Sequence, residues 1–122
     1  MNMTTNALIE ERTDTKIKFK GVWYEESCLI HDNEIQSPWS HPSVDQMNLG
    51  DFSFIIDNNC ELVLFGTGKN QVFPSLAVIT ELQKMNIGIE IMDTKSVCRT
   101  FNILTSEYRN PTALIIIDSC FR

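Results

Sequence analysis

The sequence lacks the patterns that identify a metal centre, a transmembrane segment or an exported protein. Its four cysteines are widely scattered, with no Cys-x-x-Cys pair and no flanking histidine pattern, which argues against a zinc site. No stretch approaches the roughly 20 apolar residues that a transmembrane helix requires. Residues 1–15 contain no apolar core of a secretory signal, and their acidic side chains do not fit a mitochondrial presequence. We therefore expect a cytoplasmic protein with free thiols and with no bound metal or cofactor.

Basic residues are also scarce. The chain has 10 Lys and Arg against 16 Asp and Glu, which gives a formal net charge of −6. Nucleic acids and anionic membranes both reward clustered Lys and Arg, so neither is expected to be the main partner. A local cationic pocket for a small anion remains compatible with this composition. The length of 122 residues suits one domain, and we expect a mobile tail over 1–15, with a helical turn at Ala7–Arg12, followed by a single domain over 16–122.

The N-terminal half of that domain predicts short antiparallel strands joined by tight turns. Lys16–Lys20 alternates polar and apolar residues, which is typical of a strand with one solvated face. Val22–Tyr24 continues the extended pattern, and a third strand is predicted at Cys28–Ile30. The region Gln36–Asp51 is irregular, and the apolar run Phe52–Ile56 after it predicts a fourth strand.

The segment Glu61–Asp118 contains the clearest pattern in the chain. Apolar runs predict three inner strands, and apolar residues at helical spacing predict a helix after each of the first two. The predicted strands are Leu62–Phe65, Ile87–Met92 and Thr112–Ile117, and the helices begin near Pro74 and Thr94. Strand–helix–strand units with short connections favour parallel strands and right-handed crossovers. The fold class is therefore α/β, with a C-terminal β-α-β-α-β block and an added antiparallel layer from the N-terminal strands.

The turn Gly66-Thr67-Gly68-Lys69 follows a strand and precedes a helix, where phosphates are often bound. Two complete motifs fail, however. A Walker loop requires Gly where Val63 stands and Ser or Thr where Asn70 stands, and a dinucleotide fingerprint requires a third Gly at Gln71. A tight structural turn is the preferred interpretation, and a phosphate-binding turn is the alternative.

Glu90 is unusual because it interrupts an apolar strand. A buried carboxylate there requires a partner, which Arg99, Lys95 or a helix N-terminus could supply. Arg99 and Asn102 fall on the polar side of the second helix. A structural ion pair is preferred over a ligand-binding carboxylate. We assign no catalytic residue, because neither histidine has a nucleophile or carboxylate at a meaningful spacing.

A set of residues in register resembles the Mth nine-thirty-eight domain family. The resemblance runs from about Leu62 to Ile117, and Trp39 is similar to the usual upstream tryptophan of the family. It is carried by Gly66-Thr67-Gly68, Phe73-Pro74, Gly88-Ile89-Glu90, Met92, Thr94, Cys98-Arg99-Thr100-Phe101-Asn102, Glu107 and Arg109. This family of small domains of unknown function includes the third assembly factor of mitochondrial respiratory complex I. Tyr108 stands where the family usually has Gly.

The resemblance implies a three-layer α/β domain with a mixed central sheet, no assigned enzymatic activity, and protein partners. The preferred hypothesis is a non-enzymatic protein-binding or assembly module, with exposed aromatic and proline residues in Gln36–Asp51. A homo-oligomer is left open. The alternative is a binding protein or enzyme for a small anionic metabolite, with a site at the turn and on the second helix. The candidate ligand-binding residues are Gly66, Thr67, Gly68, Lys69, Glu90, Thr94, Arg99 and Asn102.

Overall fold

The computed structural model describes residues 6–117, which form two β-sheets and three α-helices. The strands are β1 (Ile9–Arg12), β2 (Ile17–Phe19), β3 (Val22–Tyr24), β4 (Cys28–His31), β5 (Glu34–Gln36), β6 (Leu62–Gly66), β7 (Gly88–Met92) and β8 (Thr112–Ile115). The helices are α1 (Ser53–Asp57), α2 (Leu76–Lys84) and α3 (Thr94–Ser106), and short 3-10 helices form at Val44–Gln46 and Leu49–Phe52.

The larger sheet is mixed and has the strand order β5-β4-β8-β6-β7. Strand β6 is parallel to both β7 and β8, whereas β4 is antiparallel to β8 and to β5. The smaller sheet is antiparallel and has the order β1-β2-β3. The predicted α/β class and the parallel C-terminal block are confirmed, and strands form at the three predicted N-terminal sites.

Alternate residues of the central strand β6 face opposite sides of the large sheet. Val63 and Phe65 lie in a core cluster with Val78 and Leu82 of α2. Leu64 lies in a second cluster with α3 and with the buried residues of the small sheet. The two helices therefore cover opposite faces of the large sheet. Right-handed crossovers require this, because the connection from β6 to β7 and the connection from β7 to β8 run in opposite directions across the sheet. The buried residues of the small sheet share a cluster with α3 and with β4 and β8, so the small sheet packs beside α3 on the same face of the large sheet.

The strand predicted at Phe52–Ile56 is wrong, because this segment ends a 3-10 helix and forms α1. At the start of the 3-10 helix, the carboxylate of Asp51 accepts a 2.8 Å hydrogen bond from the backbone amide of Asn48. Phe52 and Ile55 are both buried, and their spacing of three residues is the spacing of a helix. An apolar run this short does not distinguish a strand from a buried helical turn.

The N-terminal prediction is also wrong in part. Residues 9–12 form β1, which pairs with β2, so they are neither a mobile tail nor a helical turn. The side chain of Ile9 is buried in the cluster beneath α3. Residues 1–5 lie outside the described residues. The strand was not predicted because the segment is polar and Ile9 is the one buried residue of β1.

Strand β7 is an edge strand and not the inner strand that the sequence predicts. It pairs with β6 on one side only, among the residues that the structure describes. Glu90 is consequently exposed, and no residue of the core has to neutralise its charge. The polar residue in the middle of an apolar strand was therefore the signal of a sheet edge.

Candidate functional site

Five of the eight predicted site residues lie together where β6 ends and α3 begins. They are Gly66, Thr67, Gly68, Lys69 and Thr94, and they meet because parallel strands bring their carboxyl ends to one edge of the sheet. This confirms the predicted position of the turn beside the start of the helix. It does not by itself assign a ligand.

Reciprocal hydrogen bonds join the turn to the helix. The amide of Thr94 donates to the carbonyl of Gly68 at 2.8 Å, and the amide of Gly68 donates to the Thr94 hydroxyl oxygen at 2.9 Å. The same hydroxyl donates to the carbonyl of Ile116 at 2.6 Å. The backbone amides of Gly68 and Thr94 are therefore already used within the fold.

The first turn of α3 also carries its own negative charge. The carboxylate of Asp93 caps the helix by accepting a 2.8 Å hydrogen bond from the amide of Ser96. This backbone hydrogen bond is the largest cause that lowers the pKa of Asp93, and the nearby charges of Arg99 and Lys95 contribute less. An ionised carboxylate therefore occupies the positive end of the helix dipole.

Gly66 and Thr67 have packing roles in the turn. A Cβ atom on Gly66 would lie 3.0 Å from the Cα atom of Thr94, so glycine permits the close contact between strand and helix. The buried Thr67 hydroxyl donates to the carbonyl of Asn70 at 2.6 Å and accepts from the amide of Val72 at 3.2 Å. These contacts support the structural interpretation of the turn.

A cavity of about 180 Å³ nevertheless opens beside this junction. Its charged lining residues are the cations Arg12, Lys16, Lys69 and Lys95 and the carboxylates Asp14 and Asp93. Sequence reasoning missed Arg12, Asp14 and Lys16, because their approach to the turn depends on the small sheet packing beside α3. Four cations around a small space suit an anion, although two carboxylates share the lining.

The remaining three predicted residues lie elsewhere. Glu90 pairs in register with Leu64, which places its side chain on the α3 side of the sheet, at the open edge. Arg99 is exposed on α3 and lines a groove beside β1. Within residues 6–117 these two side chains form no ion pair, so the predicted buried pair is wrong. Asn102 binds the backbone of Ile9 with both ends of its carboxamide.

A second polar cluster was not visible in the sequence. The Sγ atom of Cys60 lies 3.5 Å from Nδ1 of His31, and the same nitrogen lies 2.9 Å from the hydroxyl oxygen of Thr112. Burial raises the pKa of the Cys60 thiol, against a smaller lowering by the hydrogen bond with Thr112. The thiol is therefore protonated at neutral pH, which does not favour a nucleophile. The residues come from separate elements, so no spacing signals the cluster.

The other described cysteines are also free and buried. Burial raises the pKa of Cys28 to about 12 and that of Cys98 to about 11. Cys120 lies outside the described residues. Among residues 6–117, no group of three or more His, Cys, Asp or Glu side chains is placed to hold a metal ion.

Trp39 does not supply the exposed aromatic surface predicted for Gln36–Asp51. It is buried, and its ring packs edge-on against Phe65 at a centroid distance of 6.3 Å. Large apolar side chains are exposed instead between β6 and α2. Val72, Phe73 and Leu76 are 40%, 54% and 77% exposed, and we call these three residues the apolar surface.

Comparisons with known proteins agree with this architecture. The model of a protein family of unknown function (DUF498/DUF598) matches residues 9–116. The chain is 36% identical over 62 residues to the 13 kDa major membrane protein of Francisella tularensis, covering 51% of this chain and 50% of that protein. It is 32% identical over 99 residues to NADH dehydrogenase [ubiquinone] 1 alpha subcomplex assembly factor 3 of Danio rerio, covering 71% and 57%. The chain thus spans little more than half the length of these two relatives.

A solved structure shares the fold. The Bordetella pertussis protein described as an Mth938-like domain superimposes with a TM-score of 0.75 at 20% identity, covering 97% of this chain and 93% of that one. The predicted resemblance to the Mth nine-thirty-eight family is confirmed. Among residues 6–117, no helix is long and apolar enough to pass through a bilayer.

Proposed function

Because this chain belongs to the DUF498/DUF598 protein family, we propose that it is a non-enzymatic protein-binding or assembly module. The observation that carries the proposal is the apolar surface, in which large side chains are exposed beside the open edge of β7. Clustered exposed apolar side chains on a small protein mark a contact with another molecule. The Danio rerio relative is named as an assembly factor of NADH dehydrogenase, and we include such an assembly role in the proposal for this chain.

The apolar surface is built by the local fold. Gln71 donates from its side-chain nitrogen to the carbonyl of Ile91 at 2.9 Å, which holds the loop after β6 against β7. Pro74 is buried, and the Ser75 hydroxyl caps α2 by accepting a hydrogen bond from the amide of Val78. The apolar residues between these fixed points therefore remain outside. Full burial of a completely exposed Phe or Leu side chain contributes about 1.5–3 kcal/mol, and covering the partly buried Phe73 and Leu76 contributes correspondingly less.

A comparison of two surface variants tests this function. The double variant Phe73→Ser, Leu76→Ser removes most of the apolar surface, whereas Ile103→Ser removes from α3 an apolar side chain that is about as exposed as Phe73. Cells expressing each form are treated with a cross-linker, and cross-linked partners are identified and quantified by mass spectrometry. We expect at least tenfold fewer cross-links at residues 69–76 in the double variant and no change with Ile103→Ser. Equal recovery from both variants would contradict the proposal.

The cavity of about 180 Å³ favours a second candidate function, the binding of a small anionic metabolite. Its four cations line the site together with Gly68 and Thr94. Gly66 and Thr67 do not line the cavity and act only in the packing of the turn. Glu90 and Asn102 are not part of this candidate site, and Arg99 would act only through its long-range charge. A ligand present at 100 times its Kd should stabilise the protein by about 2.7 kcal/mol.

A thermal-shift screen of phosphate, sulfate and di- and tricarboxylates tests this second candidate. A ligand that binds in the cavity should raise Tm for the native protein but not for the variant Arg12→Gln, Lys95→Gln. Lys84→Gln is the matched control, because Lys84 is an exposed lysine outside the cavity. A rise that survives the double variant would place the ligand elsewhere.

We also propose a cytoplasmic location. Three described cysteines are free and buried, which is compatible with a reducing compartment. The Francisella tularensis relative is named a membrane protein, so fractionation of cells expressing the untagged chain is the direct test. Recovery in the membrane pellet that resists high salt would contradict this location.

A further inference from the structure

The backbone of β7 presents hydrogen-bonding groups at the open edge of the large sheet. The amide of Gly88 donates to the carbonyl of Glu61 at 2.8 Å, and the carbonyl of Met92 accepts from the amide of Thr67 at 3.0 Å. Backbone groups alternate in direction along a strand, so those of Gly88, Glu90 and Met92 point towards β6. The amides and carbonyls of Ile89 and Ile91 consequently point outwards.

Only one of these four outward groups has a partner in the described part of the chain. The carbonyl of Ile91 accepts the hydrogen bond from the Gln71 side chain. The amide and carbonyl of Ile89 and the amide of Ile91 are left for solvent or for another strand. An edge with three unused groups at regular spacing is a template for strand pairing.

The side chains of β7 specify which strand would fit. Glu90 is exposed on the α3 face at the middle of the strand, and it forms no ion pair within residues 6–117. Ile89 and Ile91 pack on the opposite face, against the core cluster beneath α2. A strand paired with β7 would therefore meet a carboxylate on one face and apolar side chains on the other.

A second copy of this chain is a poor occupant for that edge. If two copies of β7 paired antiparallel over all five residues, Gly88 would face Met92 and Glu90 would face Glu90 of the other copy. Like charges directly opposite each other in a sheet are destabilising. The net charge of −6 opposes self-association further.

We infer that β7 accepts an extended segment of another protein as a sixth strand, with a Lys or Arg opposite Glu90 and apolar residues on either side of that cation. The inference rests on the proposed protein-binding function and deepens it. The three unused backbone groups supply the hydrogen bonds, Glu90 supplies the charge preference, and the apolar surface lies beside the added strand through the loop that Gln71 fixes.

Two synthetic peptides test the inference directly. Both are nine residues long with alternating Val and Thr, and they differ only at the central position, which is Lys in one and Glu in the other. Titration into ¹⁵N-labelled protein should shift the amide signals of Ile89 and Ile91 with the Lys peptide. The Lys peptide should bind about tenfold more tightly than the Glu peptide, since a cross-strand attraction replaces a repulsion.

Exchanging the charge on the protein provides the decisive control. Glu90→Lys should reverse the preference so that the Glu peptide binds more tightly, whereas Glu107→Lys, at an exposed position at the end of α3, should leave it unchanged. Ile89→Pro removes an outward amide and should abolish binding of both peptides. Ile89→Ala retains the amide and should keep most of the binding. Circular dichroism checks that each variant is folded.

The possible results separate the inference from the proposed function. Equal affinity of the two peptides, no binding up to millimolar peptide, or shifts away from β7 would overturn strand addition. The cross-linking comparison at the apolar surface could still succeed in that case, and protein binding would then use another geometry. Concentration-dependent dimers that disappear with Ile89→Pro would likewise overturn the inference, because the occupant would be a second copy.

Discussion

The carboxamide of Asn102 on α3 binds both backbone polar groups of Ile9 on β1. The amide of Ile9 donates to Oδ1 at 2.8 Å, and Nδ2 donates to the carbonyl of Ile9 at 2.9 Å. The side chain thus takes the place that a neighbouring strand would occupy beside β1. This contact explains why a residue proposed from the sequence as a ligand-binding group serves instead to attach the small sheet to the helix.

Asn102→Ala should therefore destabilise the protein. Two hydrogen bonds are lost, and the backbone groups of a partly buried strand are left without partners, so the free energy of unfolding should fall by about 2 kcal/mol. Urea denaturation measures this loss, and amide hydrogen exchange should show faster exchange at Ile9. Asn110→Ala is the control, because Asn110 is exposed, and it should change stability by less than about 0.5 kcal/mol. Equal effects of the two substitutions would contradict the attachment role.

Thr94→Val should show that the hydroxyl joins three elements. Val keeps the shape of Thr but leaves the amide of Gly68 and the carbonyl of Ile116 without their bonds of 2.9 Å and 2.6 Å. We expect a loss of about 2 kcal/mol in the free energy of unfolding, measured by urea denaturation. Thr94→Ser retains the hydroxyl and should lose less than half as much. If Val and Ser are equally stable, these hydrogen bonds contribute little.

The parallel block was predictable because its signals are local. Apolar runs and the glycine turn after β6 each act within a few residues, and each appears in the structure as predicted. Strand order is not local. Whether β7 is an inner strand or an edge strand depends on where β8 pairs, and β8 pairs on the far side of β6. Glu90 was interpreted as a buried charge for that reason.

The candidate site shows the same division between local and distant information. The approach of the turn to Thr94 follows from parallel strands and was predicted. The roles of Asn102 and Arg99 depend on β1, whose polar sequence was interpreted as a tail. The contact between Cys60 and His31 joins residues 29 positions apart on different elements, and no periodicity reports it.

Arg99→Ala tests the placement of this side chain on the surface. Because Arg99 is exposed and forms no ion pair with Glu90, its removal should change the free energy of unfolding by less than about 0.5 kcal/mol. Urea denaturation of the single variants and of the double variant with Glu90→Ala gives the coupling between them. A coupling above about 1 kcal/mol would contradict the absence of a pair.

The buried thiol of Cys28 should make stability depend on alkaline pH. Its pKa is raised from 9.0 to about 12 by burial, with a smaller contribution from the charge of Cys98. Above pH 9 the unfolded chain releases the proton while the folded protein keeps it. The stabilisation is therefore complete below pH 9 and is lost towards pH 12, at up to about 1.4 kcal/mol per pH unit.

Urea denaturation between pH 8 and pH 10.5 measures this slope. Cys28→Ala should flatten it relative to the native protein, even though the substitution itself lowers stability. Val97→Ala is the matched control, because Val97 is buried in the same cluster and does not titrate, so its slope should equal the native slope. Identical slopes in all three proteins would show that Cys28 does not ionise on unfolding.

Tyr108→Gly should stabilise the protein. Helix α3 ends with the amide of Tyr108 bonded to the carbonyl of Thr105 and the amide of Arg109 bonded to the carbonyl of Leu104, at 3.0 Å each. This arrangement places Tyr108 in the left-handed region, with φ at 65°, where an L side chain costs about 1–2 kcal/mol and glycine costs far less. Tyr108 is 56% exposed, so its removal loses little burial. We expect a gain of about 1 kcal/mol by urea denaturation. Arg109→Gly is the control and should give no gain, because Arg109 lies one residue beyond that position and has no positive φ. A loss of stability in Tyr108→Gly would show that the tyrosine side chain stabilises the helix end through contacts that outweigh its backbone strain.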